Sequence, residues 1–109
     1  MVFIYSSSCH HCARQLPIIL GFKNEFKFDV LGITTDDNYF EGLDENIVDV
    51  NITGDPLVQA YPTILLLDKK HPSKIFISKG LTTSDELEEK IVKRILERIE
   101  GEEQNVKNN

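Results

Sequence analysis

Tryptophan is absent from this 109-residue chain, methionine occurs once and cysteine only twice. Outside the run Cys9-His10-His11-Cys12 the sequence offers one further soft ligand, His71. That shortage bears on metal chemistry. A tetrahedral zinc site needs four converging ligands, and four consecutive residues cannot all turn toward one ion. No metal and no other cofactor is expected. Long apolar runs are also missing: nothing approaches the ~18 residues of a membrane span, so no membrane insertion is expected of this chain. A basic-plus-apolar leader is absent as well. Because the chain opens almost at once on strand residues, the expectation is that a leader or upstream region has been trimmed away. Basic charge is scarce, with 12 Lys and Arg against 18 Asp and Glu and a net charge of −6. That balance disfavours nucleic acid or an anionic membrane surface as a partner. The acidic residues gather at 36–49 and 85–103. Neither stretch has the Gly at the sixth position and Glu at the twelfth that a calcium loop requires, so both read as solvated faces.

What is present is a chain of one-domain length, 40% hydrophobic, able to bury a core. It is organised around Cys9-His10-His11-Cys12, which follows the apolar run Val2 to Tyr5 and precedes a helical run from Ala13 to Phe26. A Cys-x-x-Cys at a strand-to-helix junction reads as a redox-active dithiol. A helix N-terminus presents free N–H groups and partial positive charge, which favour a thiolate there, and the thiolate is the nucleophile of disulfide exchange. The second cysteine falls on the same face of the first turn. A purely structural disulfide closing so short a loop would stabilise little.

Val2 to Tyr5 reads as a buried central strand, with Ser7 or Ser8 capping the next helix. That helix runs from about Cys9 to Phe26, carries Pro17 inside it and is weakened by Gly21. Phe28 to Ile33 reads as a second strand, parallel to the first. Residues 34–54 are polar and acidic, with Ile47, Val48, Val50 and Ile52 as the only candidates for an extended piece. Asp55-Pro56 suggests a short helix start. Thr63 to Leu67 is the strongest strand signal, followed by a turn at 68–73 that includes His71, and by a hairpin partner from Lys74 to Lys79. Gly80 ends that strand. Thr83-x-x-Glu86 fits a capping box opening the last helix. Leu87, Ile91, Val92, Ile95, Leu96 and Ile99 form its apolar stripe, and Gly101 is expected to stop it.

The dithiol, Pro17 five residues beyond it, Tyr61-Pro62-Thr63 opening a strand, and Gly80 before an amphipathic helix together resemble the thioredoxin fold. The resemblance covers residues 2 to 100. It implies an α/β domain over 1–101, a minimal β-α-β then β-β-α arrangement with a central mixed sheet flanked by helices, and a polar tail at 102–109 that is expected to be disordered. Ile4-Tyr5-Ser6-Ser7-Ser8-Cys9, Ala13-Arg14-Gln15-Leu16-Pro17 and Gly80-Leu81-Thr82 are similar to the periplasmic thioredoxin-like proteins of bacterial conjugative pilus assembly. That likeness implies a periplasmic location, with a cytoplasmic one as the alternative.

By the same resemblance Cys9 would attack and Cys12 would resolve, while Tyr61 and a cis Pro62 would bind an extended substrate. His11 stands where DsbA-type oxidases and disulfide isomerases carry a thiolate-favouring histidine. His10 is either a second such partner or a solvent-facing residue without a role. Implied partners are cysteine-containing protein substrates and a redox protein that recycles the dithiol. The chain departs from thioredoxin in having Ser8 rather than Trp before the first cysteine and Phe3 where thioredoxin has a buried acid. The stretch between Thr34 and Asp55 is too short for the helical insertion of DsbA-type oxidases. The function implied is thiol–disulfide exchange on proteins, oxidising or isomerising, with a reductase or a binding module with incidental thiols as alternatives.

Overall fold

In the computed structural model, residues 1–54, 58–67 and 74–107 are described, without the side chains of 53 and 102–107. The elements in order are β1 (Val2–Tyr5), α1 (His10–Phe26), β2 (Leu31–Thr34), β3 (Glu45–Val48), a 3₁₀ turn (Ile52–Gly54), β4 (Thr63–Leu67), β5 (Lys74–Lys79) and α2 (Ser84–Lys107). The sheet runs β3-β2-β1-β4-β5. β1 pairs parallel to β2, β2 parallel to β3, and β1–β4 and β4–β5 are antiparallel. This mixed sheet with two helices is an α/β arrangement of thioredoxin-like type.

β1 lies at the centre because all four of its residues are apolar and both of its faces are covered. Successive side chains point to opposite faces. Phe3 and Tyr5 therefore join one core with Cys12, Ile19 and Phe22 of α1 and Leu87 and Ile91 of α2. Val2 and Ile4 join the other, with Ile52, Val58 and Leu65. Among the described residues, both helices bury their apolar faces against the same side of the sheet. On the other face, Ile52 and Val58 pack against Val2, Ile4 and Leu65. The helix start expected at Asp55-Pro56 and the turn expected at 68–73, with His71, lie outside the described residues.

The sheet also has a strand more than the minimal arrangement, because part of the polar stretch 34–54 is recruited to its edge. Tyr5 Oη donates to Asn46 Oδ1 at 2.7 Å and accepts from Phe40 N at 3.0 Å, and Asn46 Nδ2 donates to Phe40 O at 3.1 Å. These bonds pull β3 against β2. Gly32 is required there, since a Cβ would run into the Asn46 amide and Leu43. β2 starts at Leu31 rather than Phe28. Lys27, at φ 60°, ends α1 in the left-handed conformation, and Phe28 turns back to stack on Phe22 with centroids 5.6 Å apart. Asp44 then accepts from Val30 N at 2.6 Å and pairs with Lys23 Nζ at 3.0 Å.

α2 opens with the expected capping box. Thr83 Oγ1 accepts from Glu86 N at 3.2 Å and Glu86 Oε2 accepts from Thr83 N at 3.3 Å. Only two of the six residues of its apolar stripe are buried. Leu87 and Ile91 are buried, whereas Val92, Ile95, Leu96 and Ile99 are between 39% and 52% exposed. Nor does Gly101 stop the helix: the backbone of 102–107, placed beyond the domain by sequence, continues it to Lys107. Gly101 does not take the left-handed conformation that ends helices, and an interior glycine costs only about 1 kcal/mol.

Candidate active site

Cys9 is itself the N-cap of α1, at φ −85° and ψ 117°, and its Sγ accepts from Cys12 N at 3.3 Å. The expectation of a serine cap is therefore corrected. Ser8 Oγ instead lies 3.1 Å from Ser6 Oγ, and Ser7 Oγ is engaged by Asp36 at 2.9 Å. Cys9 N donates to Ser6 O at 3.1 Å, closing a turn over Ser6-Ser7-Ser8, and Ala13 N donates to Cys9 O at 3.1 Å to begin the helix. Cys9 is thus half-buried, with its sulfur against the free N–H groups of the first turn, where no acidic residue opposes it.

Cys12, one turn on, is wholly buried. Burial pushes its thiol up to about 12, the hydrogen bond with the Cys9 sulfur adds to this, and a backbone hydrogen bond with Ser6 works the other way. Both cysteines are free thiols. His10 and His11 occupy the exposed side of the same turn.

Across from Cys9 the Tyr61–Pro62 peptide is cis. Tyr61 O lies 3.9 Å from Cys9 Sγ, Pro62 is fully buried, and Tyr61 packs against both cores. The Tyr61 hydroxyl is buried without a hydrogen-bond partner among the described residues. Burial, and then the nearby Cys12, raise its pKa above the ordinary tyrosine value. The structure thus brings Cys9, Cys12, Tyr61 and Pro62 together and leaves both histidines at the rim.

Two fastenings escaped the sequence reading. Gly80, at φ 78°, donates its N–H to Pro62 O at 2.8 Å. Gln15, fully buried on α1, donates to Thr82 O at 3.1 Å and accepts from Thr82 N at 2.8 Å. The proline loop and the loop before α2 are thereby tied to the helix that carries the dithiol. The available signal was Gln15's phase. It shares the buried face of α1 with Cys12, Ile19 and Phe22, where an amide needs a buried partner. A third, Asp36, binds the serine turn. Among the described residues no three His, Cys, Asp or Glu side chains converge as metal ligands.

The family described as TraF, F plasmid transfer operon protein, matches residues 1–92. The chain belongs to the TraF family. No curated protein matches it. The TraF match takes in the dithiol, the serine turn, Tyr61-Pro62, the Gln15–Thr82 lock and the capping box, and it ends at Val92 in the middle of α2.

Proposed function

We propose that this TraF-family chain is a thiol–disulfide oxidoreductase acting on cysteines of protein substrates in the bacterial envelope, in the service of plasmid transfer. The observation that carries the reading is the asymmetry of the dithiol. Cys9 is reachable and held at the helix N-terminus, while Cys12 is buried and kept protonated. An attacking thiol needs access and thiolate character, and a resolving thiol needs neither until the mixed disulfide forms.

In the oxidising direction a substrate thiolate attacks Cys9 Sγ of the Cys9–Cys12 disulfide. The S–S bond breaks and Cys12 leaves as a thiolate that takes up a proton. A second substrate thiolate attacks the substrate sulfur of the mixed disulfide and expels the Cys9 thiolate. The substrate loses two electrons and the dithiol gains them, to be passed on to a recycling redox protein. Tyr61 and Pro62 face the attacked sulfur and are assigned to holding the extended substrate by strand addition. The N-cap bond to Cys9 Sγ, the helix dipole and the rim histidines His10 and His11 favour the reduced form, which makes the disulfide the better oxidant. The potential is therefore placed on the oxidising side, nearer roughly −180 mV than the thioredoxin value of about −270 mV. A periplasmic location suits that poise.

Turnover of insulin disulfides with dithiothreitol tests the activity, and equilibration with glutathione gives the potential. Cys12→Ser should accumulate a mixed disulfide with substrate and Cys9→Ser should not. Equal trapping by both variants would reverse the assigned roles. Absence of turnover together with absence of any glutathione adduct would leave a binding module.

A further inference from the structure

The turn that delivers Cys9 to the helix is short, polar and built of three serines, Ser6-Ser7-Ser8, held from within by the Ser6 Oγ–Ser8 Oγ contact and the Cys9 N to Ser6 O bond. A further hold comes from the loop that follows β2. Asp36 lies just past the end of that strand, and its carboxylate is committed on both oxygens. Oδ2 accepts from Ser7 N at 3.2 Å, Ser7 Oγ at 2.9 Å and Ser6 Oγ at 3.4 Å. Oδ1 accepts from Thr34 Oγ1 at 3.3 Å and Asn38 N at 3.0 Å. Asp36 N in turn donates to Thr34 Oγ1 at 3.3 Å. The Oδ1 side anchors the carboxylate to its own loop, and the Oδ2 side grips the centre of the serine turn. The same turn ends in the Cys9 N to Ser6 O bond, so the place of Cys9 at the N-cap depends on it.

We propose that Asp36 is the positioning residue of the dithiol: by clamping Ser6 and Ser7 it fixes the turn that holds Cys9 Sγ over the first-turn N–H groups. The proposal rests on the exchange reading above. The hydrogen bonds also hold the Asp36 carboxyl below the usual carboxylate range, those from Asn38 and Ser7 first, so the clamp is closed at neutral pH.

Two effects of the carboxylate oppose each other. Its bonds order the turn and favour the thiolate of the reduced form, whereas its negative charge disfavours a thiolate nearby. The carboxylate is partly exposed, so solvent and salt screen the charge, while its hydrogen bonds are charge-assisted and stronger than neutral ones. Positioning therefore wins.

The test uses the full reduced chain, with iodoacetamide alkylation of Cys9 and equilibration of the dithiol against glutathione as readouts. Asp36→Ala should slow alkylation and shift the equilibrium toward the disulfide form by about three- to tenfold, the worth of one or two hydrogen bonds. Asp36→Asn keeps one acceptor oxygen but turns an amide N–H group toward donors on the other side, so it should move both readouts in the same direction as Asp36→Ala by less. Ser7→Ala, which removes only the shortest contact, should move both readouts in the same direction by less, and adding it to Asp36→Ala should change little. A melting temperature lowered in Asp36→Ala with both readouts unchanged would reduce Asp36 to a loop staple and overturn the proposal. So would faster alkylation in Asp36→Asn, which would mean the charge dominates. Should Asp36→Ala fail to fold, unchanged readouts in both Asp36→Asn and Ser7→Ala would overturn it equally. A wild type that exchanges normally beside unaltered variants refutes the clamp alone, whereas a wild type that forms no glutathione adduct refutes the exchange reading with it.

Discussion

Cys12 shows how one residue serves both stability and chemistry. Its sulfur is part of the main core with Phe3, Ile19 and Leu87, and the same burial that packs it keeps it a thiol up to about 12. An unfolded chain ionises its cysteines near 8.5. Between those values the unfolded reduced protein has released a proton that the native protein still holds, so rising pH favours unfolding. The contribution is fully present below about pH 8.5 and is lost as pH climbs toward the native value. Tyr5 and Tyr61, both raised chiefly by burial, act with the same sign from about pH 10 upward. Thermal melts of the reduced protein should therefore fall between pH 8 and 10.5, and Cys12→Ala should flatten the first part of that fall. An unchanged slope in Cys12→Ala would show that the thiol is not held protonated by the fold.

At the level of elements, α1 does more than present the dithiol. Its buried face runs Cys12, Gln15, Ile19, Phe22, so a polar amide interrupts an otherwise apolar stripe. Gln15 satisfies both the N–H and the carbonyl of Thr82 and thereby sets where α2 begins relative to the site. Gln15→Leu preserves the volume but strands two buried backbone groups, each worth about 1–3 kcal/mol. Denaturant titration should register a loss of that order, and insulin turnover should fall as the loop bearing Gly80 and Thr82 drifts from Pro62. Full stability in Gln15→Leu would mean that water replaces the amide and that the lock is dispensable. The capping box at Thr83 and Glu86 is the complementary local device at the start of α2.

On the scale of the whole molecule, the five strands and two helices divide α2 into two parts. The first part packs on the sheet through Leu87 and Ile91. The second carries Val92, Ile95, Leu96 and Ile99 with much of their surface in solvent. Substitutions should separate the two. Leu87→Ala should cost about 2–5 kcal/mol as a core cavity, while Leu96→Ser, at a residue 52% exposed, should stay within about 0.5 kcal/mol of wild type. Chemical denaturation of both variants at equal protein concentration measures this. A large loss in Leu96→Ser would mean that the second half of the helix is covered in solution.

The sequence by itself determined the parts whose causes lie close together in the chain. The dithiol at a strand-to-helix junction, the strand Thr63–Leu67 with its partner Lys74–Lys79, and the capping box are all local patterns: an apolar run, an alternation, a fixed spacing. The tertiary structure alone decided the rest. Recruitment of β3 to the sheet rests on a bond from Tyr5 to Asn46 across 41 residues: Ile47 and Val48 suggest an extended piece, but no local pattern gives its partner or its start at Glu45. The Gln15–Thr82 lock spans 67 residues and the Asp36–Ser7 clamp 29. At the N-cap, Ser7 is bonded to Asp36 and Ser8 to Ser6, and Cys9 accepts the first-turn N–H. Local propensity is settled by neighbours a few bonds away, whereas these contacts exist only once the sheet has ordered its strands and brought distant loops to one end.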